Sequence, residues 1–414
     1  MQITKMRENI HQLSVNVEHI LFEGLWEMPR GVSIHSYVVK GRETALIDGV
    51  CGWDGVPESL FAMLDEMKIE LKDIRYLVLN HLEPDHSGWL EPLFKLHRDF
   101  TVVCSEKGAA LLDAFFDSDV PVRVVKDDDE IDLGDGVKLT FKMIPNVHWP
   151  DAMVTYEPES KTLFSCDAFG SFGKLEGSPF DGDYSDDALA AYEGETVRYY
   201  SNIIGAFSPF VLKALKKLEP LDIVTVAPAH GMVWSSHPET ILEAYRRYAN
   251  ASKEPSGRKI VLLWGSMYGN TERAVKVAES VLKSSGMPYS AYNVMETSWG
   301  TILADLWMAS GVILAMPTYE YKMFPPMAAV LEEIGKKKAQ GKLAYRFGSY
   351  GWSGGAQREL DDLMDRLNMN WTFIEPFEFK GRPNESDLER IRRDTESLIR
   401  GVDERLTKAD NPDE

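Results

Sequence analysis

The chain has 414 residues, too many for one ordinary domain, and its 44 % hydrophobic and 27 % charged composition is that of a protein that buries a sizeable core. Its net charge of -20, most of it before residue 257, excludes the basic surface that nucleic-acid binding needs. No apolar run approaches the roughly 18 residues that cross a bilayer, and Met1-Gln-Ile-Thr-Lys-Met-Arg7 lacks the basic-then-apolar plan of a signal peptide, so a cytoplasmic protein without membrane contact is expected.

In chain order, short β-rich runs at 36–40, 44–48, 76–79, 101–104, 137–141 and 162–165 alternate irregularly with helical stretches, which predicts an α/β domain with mixed sheets over residues 1–252. Pro255 and Gly257, in a small and polar stretch, mark a linker at 253–258. Beyond it the alternation is regular. Strands are predicted at 259–264, 289–294, 312–316, 344–349 and 371–377, with helices at 271–284, 326–339, 356–367 and 386–406. This pattern predicts a doubly wound parallel sheet over 259–407. The polar residues 408–414 are expected to form a flexible tail. Cys51, Cys104 and Cys166 are scattered without a C-x-x-C pair, so they read as reduced, buried side chains rather than as a disulfide or a rubredoxin-type iron site.

The first 230 residues carry seven candidate metal ligands: His81, Glu83, Asp85 and His86 in His81-Leu-Glu-Pro-Asp-His86, then His148, Asp167 and His230. Each group follows a buried-looking strand, a place where side chains converge, and Pro84 stiffens the first loop. Four imidazoles and three carboxylates give two metal ions three terminal ligands each and leave one carboxylate to bridge them. The oxygen-rich set favours iron over zinc. Asp151, Trp149, Ser87 and Trp89 neighbour these ligands and either support them or pack beside them.

In the second half, Gly265-Ser266-Met267-Tyr268-Gly269-Asn270-Thr271 follows a strand and opens a helix, whose unpaired N–H groups and positive dipole end suit a phosphate; a capped turn would use the same residues. Two further loops, Pro317-Thr318-Tyr319-Glu320-Tyr321 and Ser349-Tyr350-Gly351-Trp352-Ser353-Gly354-Gly355, follow the third and fourth strands. In a doubly wound sheet they meet the first loop at the carboxyl edge, where aromatics can stack on a flat ring and glycines admit its approach. No G-x-G-x-x-G is present to indicate a dinucleotide fold.

The first ligand set is similar to the metallo-β-lactamase superfamily motif, with Glu83 where the zinc hydrolases carry a histidine, and the second half resembles flavodoxin. Together they resemble the flavodiiron proteins, or A-type flavoproteins, over nearly the whole length. The resemblance implies a metallo-β-lactamase-like αβ/βα sandwich followed by a flavodoxin-like doubly wound sheet, in the minimal two-domain form. It implies two iron ions as the catalytic centre: one on His81, Glu83 and His148, the other on Asp85, His86 and His230, bridged by Asp167, with His86 able to swing away. It implies FMN, with its phosphate on Ser266, Met267, Tyr268, Gly269, Asn270 and Thr271. Its ring would lie between Pro317, Thr318 and Tyr319 and the run Ser349, Tyr350, Gly351, Trp352, Ser353 and Gly354. The implied activity is reduction of oxygen to water, with nitric oxide as the rival substrate. The implied partners are rubredoxin or a reduced deazaflavin as electron donor and a second copy of the chain, in a homodimer or dimer of dimers. A dizinc hydrolase would share most ligands but not Glu83 or a fused flavin domain. An electron-transfer flavoprotein would not need seven intact ligands.

Overall fold

The computed structural model describes residues 1–50, 59–117 and 119–410. The chain divides into two compact units, residues 1–200 with 207–246, and residues 201–206 with 247–414. Cys51 lies outside the described residues; Cys104 and Cys166 are buried and unpaired with each other.

The first unit is built on two mixed sheets. The larger has seven strands; its parallel part runs through Thr44–Ile47, Ile74–Val78, Thr101–Cys104 and Val122–Val124. Gln2–Lys5 and Ile10–Val17, which the opening residues gave little reason to expect, extend its other edge, Ile10–Val17 pairing antiparallel with both Gln2–Lys5 and Val32–Lys40. The second sheet has five strands, ending in the parallel pair Thr162–Cys166 and Thr225–Pro228. Alternate residues of both sheets, among them Tyr37, Ile47, Val78, Leu139, Phe141, Met153 and Phe164, share one core. Fully burying each such side chain contributes on the order of 2 kcal/mol. This packing puts the carboxyl ends of Ile74–Val78, Thr162–Cys166 and Thr225–Pro228 where the candidate ligands begin.

The second unit carries a parallel sheet in the order Tyr289–Asn293, Gly257–Trp264, Ala309–Ala315, Leu343–Tyr350, with Thr372–Phe373 and Phe377–Lys380 both pairing with Leu343–Tyr350. That is the 2-1-3-4-5 doubly wound order, whose reversal lies between the first and third strands. Ala309–Ala315 is buried at every residue, as a central strand covered on both faces must be. On Asn270–Ser285 the buried residues Ala274, Val275, Ala278, Val281 and Leu282 form one stripe, and Gly286 at φ 69° ends the helix.

Several boundaries differ from the sequence reading. The helix Trp299–Met308 precedes the third strand unannounced, because its apolar residues include Trp299, Ile302, Leu303, Leu306 and Trp307 and leave no clear polar face to give it a period. The last strand is divided at Pro376, which has no N–H for a ladder bond. The helix Pro238–Ala251 and the strand Gly257–Trp264 leave residues 252–256 between them, and the last helix runs Glu385–Asp410, past the expected start of a frayed tail.

Candidate metal centre and flavin cleft

The strand Ile74–Val78 delivers the chain to His81 and Glu83, and the one-turn helix Pro84–Ser87 then carries Asp85 and His86. Pro84 at its first turn needs no N–H partner there. The Ser87 hydroxyl donates to the carbonyls of Leu82 and Glu83, and the Trp89 indole N–H donates to the carbonyl of His86, so backbone and side chains lock the loop. Asp48 supports its root, accepting the backbone N–H of Asn80 at 2.8 Å and its side-chain amide at 2.9 Å.

All seven candidate ligands converge and are buried. One oxygen of Asp167, Oδ2, lies 3.4 Å from His81 Nε2 and 3.3 Å from His148 Nε2, and Glu83 Oε2 lies 3.2 and 3.0 Å from the same nitrogens. The other oxygen, Oδ1, lies 2.9 Å from His86 Nε2 and 3.1 Å from His230 Nε2, and Asp85 closes this group at 3.2 Å from His230 and 3.4 Å from His86. Donors that share an ion at about 2.1 Å sit about 3 Å apart, so each group has the spacing of a coordination shell.

Hydrogen bonding alone leaves the cluster unsatisfied. Both oxygens of Asp85, Oδ2 of Asp167 and Nε2 of His230 are buried without a hydrogen-bond partner. Such groups cost about 1–3 kcal/mol each unless something pairs with them, and a cation between the oxygens and nitrogens would do so. Burial opposes charge on the imidazoles, yet neighbouring carboxylates overcome it: Asp151 and Glu83 hold His81 well above the usual histidine range. Against the same burial, His148 rises to about 9 through Asp167 and Glu83, and His230 to about 10 through Asp167 and Asp85. Burial works against ionised Glu83 too, but His148 and His81 bring its carboxyl down to about 2. This is a site that attracts positive charge strongly.

Asp151, left between two roles by the sequence, takes the supporting one: its carboxylate accepts His81 Nδ1–H at 3.1 Å and the backbone N–H of Leu82 at 2.9 Å. Trp149 packs edge-on against His81 with ring centres 4.9 Å apart. Two contributors escaped the sequence reading. His35 is wholly buried and its Nε2–H donates to the carbonyl of Gly231, beside His230, at 2.6 Å. Phe22 meets the ring of His230 edge to face at 5.4 Å and, with Phe172 and Tyr199, walls it with apolar surface. Neither has a motif signal, since both arrive from strands distant in the chain.

In the second unit a cleft of about 340 Å³ opens at the carboxyl edge of the sheet. Ser266, Met267, Tyr268 and Asn270 line it from the first loop, Pro317, Thr318 and Tyr319 from the second, and Ser349, Tyr350, Gly351 and Trp352 from the third. Glu320, from the second loop, joins them, and so does Gly381, which no sequence motif marks. Gly269, Thr271, Ser353 and Gly354 are not among its lining residues. Gly269, at φ 81°, turns the chain into Asn270–Ser285, and no side chain caps that helix, which leaves its first N–H groups for an anion. Thr271 is buried and its hydroxyl pairs with that of Ser349 at 2.9 Å, tying the first loop to the third. Tyr268, Tyr319 and Trp352 present exposed aromatic surface around the mouth, the environment a flat ring requires.

Among the described residues no helix is long and apolar enough to cross a membrane. A family model described as ODP family beta lactamase matches residues 32–231. An anaerobic nitric oxide reductase flavorubredoxin from Vibrio vulnificus is 32 % identical over 354 residues, covering 83 % of this chain and 68 % of that protein. Among solved structures, rubredoxin oxygen:oxidoreductase from the anaerobe Desulfovibrio gigas superposes with a TM-score of 0.90 at 26 % identity, over 98 % of this chain and 100 % of that one. A variant of the flavo di-iron protein from Thermotoga maritima gives a TM-score of 0.87 at 30 % identity, over 97 % and 98 %. With both sites and these likenesses in hand, the chain belongs to the flavodiiron protein family of oxidoreductases.

Proposed function

We propose that this protein reduces oxygen to water at a non-haem diiron centre supplied with electrons by FMN. The observation that carries the reading is the two-sided Asp167 carboxylate, with His81, Glu83 and His148 gathered at one oxygen and Asp85, His86 and His230 at the other. In this reading the first three hold one iron, the second three hold the other, and Asp167 holds both. Three carboxylates among seven donors suit iron that cycles between ferrous and ferric, and Glu83 sets the group apart from a dizinc hydrolase.

Two ferrous ions and one reduced flavin supply four electrons, the number that one oxygen molecule takes, with four protons, to become two waters. The chain's own residues prepare the place for that reaction. Asp151 orients the ring of His81 from behind, and Phe22, Phe172 and Tyr199 pack a largely apolar, water-poor wall on the His230 side. For the flavin, the first turn of Asn270–Ser285 with Ser266 to Thr271 takes the phosphate. Pro317 to Tyr319 and Ser349 to Trp352 flank the ring, with Thr271 acting through Ser349.

Nitric oxide is the second reading, favoured by the relative named as a nitric oxide reductase. Two molecules of nitric oxide take only two electrons and two protons to give nitrous oxide and water. The electron donor we propose is a rubredoxin, in line with the name of the Desulfovibrio gigas protein, with a reduced deazaflavin as the alternative. The assembly is a homodimer or dimer of dimers, and the protein acts in the cytoplasm. Anaerobic stopped-flow of the fully reduced protein against oxygen and nitric oxide in parallel tests the activity. Reoxidation by oxygen that is fast only with iron present supports the first reading; rapid turnover of nitric oxide alone replaces it with the second, and neither reaction removes both.

A further inference from the structure

One buried cation in the second unit has no part in the site as described so far. Arg346 lies on Leu343–Tyr350, and its neighbours Tyr345 and Phe347 face the core shared with Asn270–Ser285 and Glu385–Asp410, so Arg346 points to the opposite face of the sheet. It is 0 % exposed. Its Nη1 lies 2.8 Å from Glu378 Oε1, its one ion pair among the described residues, and none of its guanidinium nitrogens has a well-aligned hydrogen bond. Removing a guanidinium from water is costly unless an opposite charge stands beside it, and Glu378 is the carboxyl that Arg346 meets.

Glu378 in turn reaches two loops of the cleft. Register pairs it with Gly348, placing it on the Arg346 face just beneath the third loop. Oε1 accepts the Thr318 hydroxyl at 3.4 Å, and the backbone of Gly354 approaches Oε2 so closely that a Cβ there would lie 2.8 Å from it. One carboxylate therefore touches the second loop and the third, and a buried cation fixes where it stands.

We infer that Glu378, held by Arg346, is a positioning residue that sets the spacing of the 317–319 and 349–354 loops and thereby the affinity and reduction potential of the flavin between them. This rests on the reading of the cleft as the FMN site. Glu378 is not among the residues that line the cleft; it acts through Thr318 and Gly354, and its charge stands against the two loops that would flank the ring.

The test uses the full-length, iron-loaded chain stripped of flavin and titrated with FMN, in wild type, Glu378→Gln and the double variant Arg346→Met/Glu378→Met. Fluorescence quenching reads the FMN dissociation constant, a redox titration reads the midpoint potential, and thermal melting reads the fold. Glu378→Gln should bind FMN roughly tenfold more weakly, the scale of one charge-assisted hydrogen bond. Its midpoint potential should rise, because a negative charge against the loops that would flank the flavin is gone while Arg346 remains. An apolar pair of similar volume replaces a buried ion pair at little cost in stability, so the double variant should melt close to wild type and still bind FMN weakly. A double variant that melts normally and binds FMN as tightly as wild type, at the same potential, overturns the inference and leaves the FMN site standing. If Glu378→Gln does not fold, the double variant decides alone. A wild-type chain that fails to quench FMN overturns the flavin reading and this inference with it.

Discussion

Asp151 accepts the Nδ1–H of His81 at 3.1 Å, and its second oxygen accepts the backbone N–H of Leu82 at 2.9 Å, so one carboxylate aims the first imidazole of the cluster and pins the loop that carries it. The ring nitrogen left for a metal is then Nε2, the atom that faces Glu83 and Asp167. Groups in this position commonly alter metal affinity by about 10- to 100-fold. Asp151→Asn should accordingly weaken iron binding by about that factor with a small change in melting temperature. Iron titration of the variant beside wild type checks this, and equal affinities would reduce Asp151 to a packing role.

Asp167 and His81 test the ligand set itself. Asp167→Ala removes the carboxylate that both halves share, and the variant should lose both irons and all gas reduction while remaining yellow with FMN. His81→Ala should lose iron and activity likewise. Metal analysis with a visible spectrum suffices; two irons per chain and full oxygen consumption in either variant would refute the assignment.

The cleft calls for the reverse dissociation of effects. Ser266 Oγ accepts the N–H of Gly269 at 3.0 Å and shapes the first loop, while Thr271 supports it through Ser349. Ser266→Ala and Thr271→Val should each weaken FMN binding by several-fold to roughly tenfold, the scale of one hydrogen bond left unmade, with iron content unchanged. Unaltered FMN affinity in both would show that a capped turn, rather than a phosphate site, is what these residues build.

Iron loading should depend on pH with a defined sign. Burial resists charge on His148 and His230, but Asp167 with Glu83 or Asp85 carries them to about 9 and about 10, so at neutral pH the metal-free site holds their protons. Iron must displace those protons, and its apparent affinity should rise with pH from 7 toward 9. In the metal-free protein the same raised values contribute stability that is complete below the ordinary histidine value and is lost as pH rises through 9 to 10. A weakly buffered indicator should register proton release as ferrous ion is added at pH 7. Binding without release, or affinity that falls with pH, would contradict the electrostatics of the site.

Much of this was legible from residue order. Ligands placed just past strands are local facts, and the βα alternation after residue 257 leaves few topologies, because parallel strands with crossover helices wind in one hand. The places where reading failed share a cause. The helix Trp299–Met308 buries Ile302, Leu303, Leu306 and Trp307 along one face, but only Thr301 and Asp305 are polar elsewhere on it, too few to mark its period. His35, Phe22, Gly381 and the Arg346–Glu378 pair carry no spacing signal, since each meets its partner across a distance in sequence that only folding closes.

The sequence by itself determined the chemistry available: four imidazoles and three carboxylates in one half, and three strand-following loops of hydroxyls, aromatics and glycines in the other. Apart from the family resemblance, residue order left open how the ligands divide, and tertiary structure brings each set together. Which three donors meet which oxygen of Asp167 depends on two sheets packing face to face and bringing four loops to one point, a long-range arrangement that local propensity and periodicity do not encode. It also decided that Asp151 supports rather than fills space and that Thr271 acts through Ser349, because a hydrogen bond depends on distance and direction, which residue order leaves open.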